Sequence, residues 1–274
     1  MAKRIALIFV LTLAFLSLVS CSSLLSDYNG GTLPSLTPST TATTDVMAVT
    51  TQAVTATEEP SVPVIAPVTT AKSNGITVIV DAGHGGNDPG AGGAFCGVVY
   101  WEEDINLSVA LKLREELVSL GYDVVMIREK DESMLGGKNT TAEAKARRDY
   151  SSELGADLYI SLHCNSYAGS GRAWGPIIFY NGRGTFSPYE CVGILAECVT
   201  GIAEEFTEMR ECRIIDDGDY IVLQNKNIPS FLIEMGFISD GSDIKMLIDE
   251  SWQSALADAL ADGIEKMKEN NYIG

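Results

Sequence analysis

Histidine is nearly absent from this chain of 274 residues: it occurs twice, as His84 and His163, so any histidine chemistry must be carried by those two. Positive charge is scarce as well. Nineteen Lys and Arg stand against 37 Asp and Glu, a formal net charge of −18. That excludes the basic face and counterion release on which nucleic-acid binding depends. The six cysteines contain no Cys-x-x-Cys pair, so no thiolate zinc cluster can be assembled from such motifs. Cys191 and Cys198 lie seven apart on one helical face and read as packing residues, while the spacing leaves the redox state of Cys96, Cys164 and Cys212 open.

What is present begins with a leader. Residues 1–21 carry Lys3 and Arg4, then an apolar run of about sixteen residues, then small residues before Cys21. The run falls short of the roughly 20 residues of a spanning helix and has the layout of a secretory signal. Leu18, Val19, Ser20 and Cys21 resemble a lipobox, in which the cysteine is acylated and becomes the mature N-terminus; an ordinary signal peptide is the alternative. More than one acyl chain gives stable membrane attachment. Residues 22–74 are crowded with Ser, Thr, Pro and Ala and nearly free of aromatics. Such a segment buries too little apolar surface to offset its ordering entropy and is expected to be a disordered linker. Residues 75–274 then form one domain.

From residue 76 short apolar runs alternate with longer amphipathic ones, the pattern of an α/β fold with a mostly parallel twisted sheet and helices on both faces. Strands are expected at 76–83, 122–128, 156–165, 175–180 and 228–237. Helices are expected at 104–121, near 140–154, and at 188–208, 240–248 and 251–269. Parallel sheets carry their sites at the carboxyl ends of strands, and both histidines fall there. Alone, each reads more readily as a hydrogen-bonded loop or core residue than as a ligand; the two together bring those readings level. The glycines around His84 permit tight turns and close backbone approach. Glu102 and Glu103 open the first long helix, where acids also serve as favourable partners of the helix dipole. Glu234 follows five residues of a largely apolar strand, and a carboxylate in that setting is costly unless paired or coupled to a metal. Two histidines and a carboxylate on one sheet edge meet the needs of a catalytic zinc with an open fourth position. Cys164, next to His163 in a strand, is expected to face the other way and pack.

In order, GHGGNDPGA (83–91), EEDINL (102–107), SLHCNS (161–166) and IEMGFIS (233–239) resemble the motifs of zinc-dependent N-acetylmuramoyl-L-alanine amidases of the amidase 3 type, over essentially the whole folded segment. The resemblance implies zinc (Zn2+) held by His84, Glu102 and His163, with Glu234 as catalytic base. It implies hydrolysis of the amide between N-acetylmuramic acid and L-alanine in peptidoglycan, outside the cytoplasm; the lipobox-like leader adds the expectation of a membrane tether through lipidated Cys21. Register with the following DINL favours Glu102 over Glu103 as the ligand. Arg147 stands where the family has an arginine ahead of an Ala-Asn pair, but Ser151 and Ser152 replace that pair, so Arg147 is left outside the site. Other departures are Glu103 for a lysine, Cys164 for a small residue and Asp240 for an asparagine. Two alternatives stand beside this reading: a catalytically silent peptidoglycan-binding regulator, and a different zinc hydrolase of the wall such as a peptidase or deacetylase.

Overall fold

A computed structural model describes residues 73–136, 140–169, 173–183, 189–225 and 227–274. The leader, Cys21 and nearly all of the expected linker lie outside the described residues. The central sheet has six strands in the order β4-β1-β5-β8-β6-β7. They are β1 (Thr77–Ala82), β4 (Asp123–Met126), β5 (Leu158–Asn165), β6 (Ile177–Tyr180), β7 (Arg213–Asp216) and β8 (Ser230–Phe237). The β4-β1-β5-β8 block is parallel; β6 runs antiparallel to β8, and β7 parallel to β6. β8 is buried along its whole length and β5 nearly so. That burial explains why these strands read as continuous apolar runs rather than as alternating ones.

Helices cover both faces. On one side α1 (Glu102–Ser119), α3 (Tyr189–Gly201), α4 (Gly241–Leu247) and α5 (Glu250–Glu269) build the larger core with Val78, Val80, Ile160 and Phe231. On the other, α2 (Thr140–Leu154) and a short turn at Ile221–Leu223 close over Ile79, Tyr159 and Leu232. The alternation of residues along each strand divides its side chains between these two cores. In α1 the buried stripe is Ile105, Val109, Leu113 and Leu117, spaced four apart, whereas Leu107 and Leu111 are only partly covered. Each fully buried aliphatic side chain contributes about 1.5–3 kcal/mol.

Helix ends follow local chemistry. Leu120 is the C-cap of α1, and Gly121 follows at φ 89°, so the glycine sits one place beyond the cap. Tyr122 N–H donates to Leu117 O and Gly121 N–H to Val118 O, a Schellman closure. Asp240 and Asp249 accept from the first amides of α4 and α5. α3 stops at Gly201 and continues only as a tighter turn over Ile202–Glu204, short of the span its sequence suggests.

A two-stranded hairpin, β2 (Gly92–Phe95) and β3 (Val98–Trp101), precedes α1 and escapes the sequence reading. Its two-residue turn places Cys96 at φ 48° and Gly97 at φ 79°, the positive pair that a type I′ turn requires. No disulfide joins the described cysteines to one another: Cys96 is exposed, Cys164 and Cys191 are buried, and Cys198 and Cys212 are half-buried.

Candidate metal centre

Two parallel strand ends and one helix start converge on the histidines and Glu102. β1 ends at Ala82 and delivers His84; β5 carries His163; α1 begins with Glu102. Glu102 Oε1 lies 3.0 Å from His84 Nε2 and 3.0 Å from His163 Nδ1. The imidazoles meet edge to face with centroids 4.9 Å apart, and one donor atom from each of the three residues falls within 4.8 Å of the others. Asp88 Oδ2 stands 2.9 Å from the far nitrogen of His84, Nδ1, so that ring is held by a carboxylate on the side away from His163.

The backbone arranges Glu102. The last rung between β1 and β5 is Gly83 N–H to Leu162 O. The next amide on that side, Cys164 N–H, has passed the end of β1 and donates instead to Glu102 Oε1 at 3.0 Å. Ala91 N–H donates to Oε2 at 2.8 Å, and Asn106 Nδ2 reaches both Oε1 at 3.4 Å and Gly83 O at 3.3 Å. Burial opposes charge on Glu102, but hydrogen bonds and attraction from His163 and His84 outweigh it and hold the carboxyl well below the usual range. Burial likewise opposes the His84 cation, yet Glu102 and then Asp88 raise it to about 9. Glu103 points away: burial and the nearby Asp131 lift it to about 7. Of the adjacent pair, Glu102 is the one that meets the histidines. The Cys164 side chain is buried in the larger core.

Glu234 lies beside His163 in the β5–β8 register, so the two side chains share a face. The register slips between His163 and Asn165, a bulge at the site itself. Asp243 Oδ2, accepting from Phe237 N–H at 2.8 Å and Gly175 N–H at 2.7 Å, pins the strand end beyond it. Glu234 is buried and its Oε2 has no hydrogen-bond partner among the described residues. Burial first, opposed by His163 and reinforced by Glu102, pushes it up to about 7.

The donor set suits a divalent cation: two imidazoles and a carboxylate, with a second carboxylate alongside. Glycine keeps the space clear. A Cβ on Gly83 would fall 2.3 Å from the His163 ring, and one on Gly90 2.6 Å from Glu102 Oε2 and 2.8 Å from His84 Cδ2.

Residues that the sequence reading omitted stand behind the ligands. Arg147, left outside the site, is buried and donates to Asp81 Oδ1 at 2.5 Å, Ala82 O at 3.1 Å and His84 O at 2.7 Å. Tyr159 and Ser161 hydroxyls donate to the other oxygen of Asp81. Arg128 donates to Ala82 O, Gly83 O and Glu103 O, tying the loop after β1 to the start of α1. His84 itself sits at φ 63°, a left-handed conformation uncommon outside glycine.

Residues 78–266 match the N-acetylmuramoyl-L-alanine amidase family. The chain is 32% identical over 198 residues to the germination-specific N-acetylmuramoyl-L-alanine amidase of Bacillus subtilis, covering 70% of this chain and 79% of that one. The crystal structure of N-acetylmuramoyl-L-alanine amidase from Clostridium difficile 630 superposes with a TM-score of 0.62 at 28% identity, over 72% of this chain and 98% of that one. The CwlD amidase of Clostridioides difficile, solved in complex with the GerS lipoprotein, gives a TM-score of 0.59 at 34% identity, over 71% and 99%. Members of this family are metal-dependent hydrolases of the cell wall. The chain belongs to the N-acetylmuramoyl-L-alanine amidase family.

Proposed function

We propose that His84, Glu102 and His163 hold a zinc ion, that Glu234 is the general base, and that the bond cleaved joins the lactyl group of N-acetylmuramic acid to L-alanine of the stem peptide. The observation that carries this reading is the meeting of the two histidines of the chain on one buried carboxylate, beside a second buried carboxylate with an unpartnered oxygen. Zinc bound there supplies Lewis-acid stabilisation of charge on the carbonyl oxygen and acidifies water. Glu234, raised toward neutrality by burial, accepts a proton from the attacking water and delivers it to the departing alanine nitrogen. Asp88 keeps His84 oriented, and the amides of Ala91 and Cys164 keep Glu102 oriented, through this cycle. Residues 1–20 are the leader removed on export, and the linker at 22–74 tethers the domain through lipidated Cys21, outside the cytoplasm and facing the wall. The tether provides proximity that a chain of net charge −18 does not obtain from attraction to anionic polymers.

The test is digestion of purified sacculi by the wild-type chain, by the chelator-treated chain and by Glu234→Gln. New alanine N-termini are expected from the zinc-loaded wild type alone. Release of acetate or new reducing ends in their place, or equal release by all three, defeats the reading.

A further inference from the structure

The β2–β3 hairpin has two unlike faces. Register pairs Gly92 with Trp101 and Ala94 with Val99 on one face, and Gly93 with Tyr100 and Phe95 with Val98 on the other. The second face is committed to the protein except at Val98 beside the turn, which is 50% exposed. Gly93 is buried so tightly that an added Cβ would meet Ile238 O at 2.1 Å, and Phe95 and Tyr100 pack on the larger core. The first face looks outward. All four of its residues are exposed, Val99 by 57% and Trp101 by 43%. Residues 92–101 contain no charged side chain, in a chain whose net charge is −18. An apolar strip of this kind on a soluble domain marks a surface that something covers.

Trp101 is bonded directly to the ligand Glu102, and Ala91, whose N–H holds Glu102 Oε2, immediately precedes Gly92. Both strands of the hairpin therefore emerge from the metal centre. An added Cβ on Gly92 would lie 2.8 Å from the Trp101 ring: the indole lies across the glycine, which fixes its orientation and leaves part of the ring to solvent.

We infer that this outward face is a sugar-binding subsite, seating an uncharged, N-acetylated glycan strand next to the metal centre, with the Trp101 indole stacked on a pyranose ring. The inference rests on the amidase reading and extends it from the scissile amide to the polymer that bears it. The scissile amide is attached to a sugar, so a glycan reaching Glu234 has to lie along a surface adjoining the centre. A face without charge receives a neutral sugar without desolvating an ion, whereas the acidic remainder of the molecule offers anionic segments no attraction. Pyranose C–H faces and acetamide methyls suit an aromatic ring and Val99, with Gly92 and Ala94 leaving room between them.

The test uses the full metal-loaded chain and a peptide-free tetramer of N-acetylglucosamine, titrated by calorimetry. Trp101→Ala should weaken binding about tenfold, the usual scale for removing a buried tryptophan contact. Trp101→Phe should restore most of it, and Val99→Lys should weaken it severalfold while leaving the Trp101 position intact. In hydrolysis, the ratio of kcat/KM on polymeric wall to kcat/KM on a single muramoyl-peptide should fall about tenfold in Trp101→Ala. Equal losses on long and short substrates would make Trp101 merely a support for Glu102 and overturn the inference. So would a concentration-dependent dimer, seen by sedimentation, that Val99→Lys dissociates. If the wild type binds the tetramer through Trp101 yet releases no alanine amine, the amidase mechanism fails and the subsite stands. If it releases amine and all hairpin variants bind as the wild type does, the subsite alone fails.

Discussion

Arg147→Lys separates stability from the shape of the metal centre. The guanidinium spans Asp81, Ala82 O and His84 O, and a lysine ammonium, a point charge on a flexible stem, cannot hold all three in that fork. Holding a non-glycine residue such as His84 at φ 63° costs about 1–2 kcal/mol. A hydrogen bond from a charged donor contributes about 1.5–3 kcal/mol, so the bond to His84 O is large enough to impose that conformation, and its loss lets the loop relax. Outer partners of this kind typically govern 10- to 100-fold in metal affinity, about 1.4–2.7 kcal/mol. Zinc affinity, measured by competition with a chromophoric chelator at neutral pH, should therefore fall by that factor in Arg147→Lys. Asp81 stays paired with the lysine, so the chelated protein should lose only about 1.5–3 kcal/mol in denaturant. Arg147→Ala should lose about 3–5 kcal/mol, because it strands a buried carboxylate. A lysine variant that is less stable but binds zinc as the wild type does would refute the reasoning and reduce Arg147 to a structural ion pair.

Other perturbations bear on the same centre. Glu234→Gln should lower kcat by about 100- to 10,000-fold with zinc affinity retained and denaturant stability not reduced, since it removes a buried charge whose Oε2 has no partner. Gly90→Ala forces a Cβ to 2.6 Å from Glu102 Oε2 at a φ of +68° and should lower zinc affinity by at least tenfold, read by the same chelator competition. His84 is raised to about 9 from an unfolded value of about 6.5. In the chelated protein its contribution to stability is therefore complete below about pH 6.5 and is lost as pH climbs to about 9. The denaturation midpoint should show that decline and His84→Asn should abolish it. Asp81 is held below its ordinary pKa, burial being outweighed by Arg147 and then Tyr159. Its contribution is present above about pH 4 and disappears as pH falls through the lower folded value, so Asp81→Asn should flatten the acid limb of stability.

Most of the sheet is legible in the sequence because its strands are buried and therefore continuous: ITVIV, YISL and SFLI announce β1, β5 and β8 without any alternation to decode. The hairpin is not, since its turn is Cys96-Gly97 rather than the usual Asn-Gly or Asp-Gly, and its strands are four residues long. β7 is missed for a related reason: Arg213–Asp216 is an exposed edge whose polar ends dilute the apolar pair Ile214 and Ile215. At the centre, scarcity singles out the histidines, and the apolar surroundings of Glu234 single it out. What the sequence does not reveal is the support behind them. Asp81 and Arg128 each close an apolar run, a signal as good as that of Glu234, but their partners come from Arg147, Tyr159 and Glu103, separated by 25 to 78 positions. Only the crossover connections bring those groups together.

The contacts within the centre say how metal and fold are coupled. In small zinc modules the ligands lack other partners and the ion supplies the folding energy. Here Glu102 is met by both imidazoles, two backbone amides and Asn106, while α1 and β5 are held by the larger core regardless of any ion. The fold therefore stands without metal, and a cation competes with protons rather than with disorder. An ion held by His84, Glu102 and His163 would replace the proton on His84 and the hydrogen bonds between these side chains, and the loop, clamped by Arg147 and Arg128, would have no need to move. Calorimetric titration with zinc in buffers of different ionisation enthalpy should accordingly report about one proton released below pH 9, with little change in far-ultraviolet dichroism. A large gain of helix on zinc addition would mean instead that the centre is assembled by its metal.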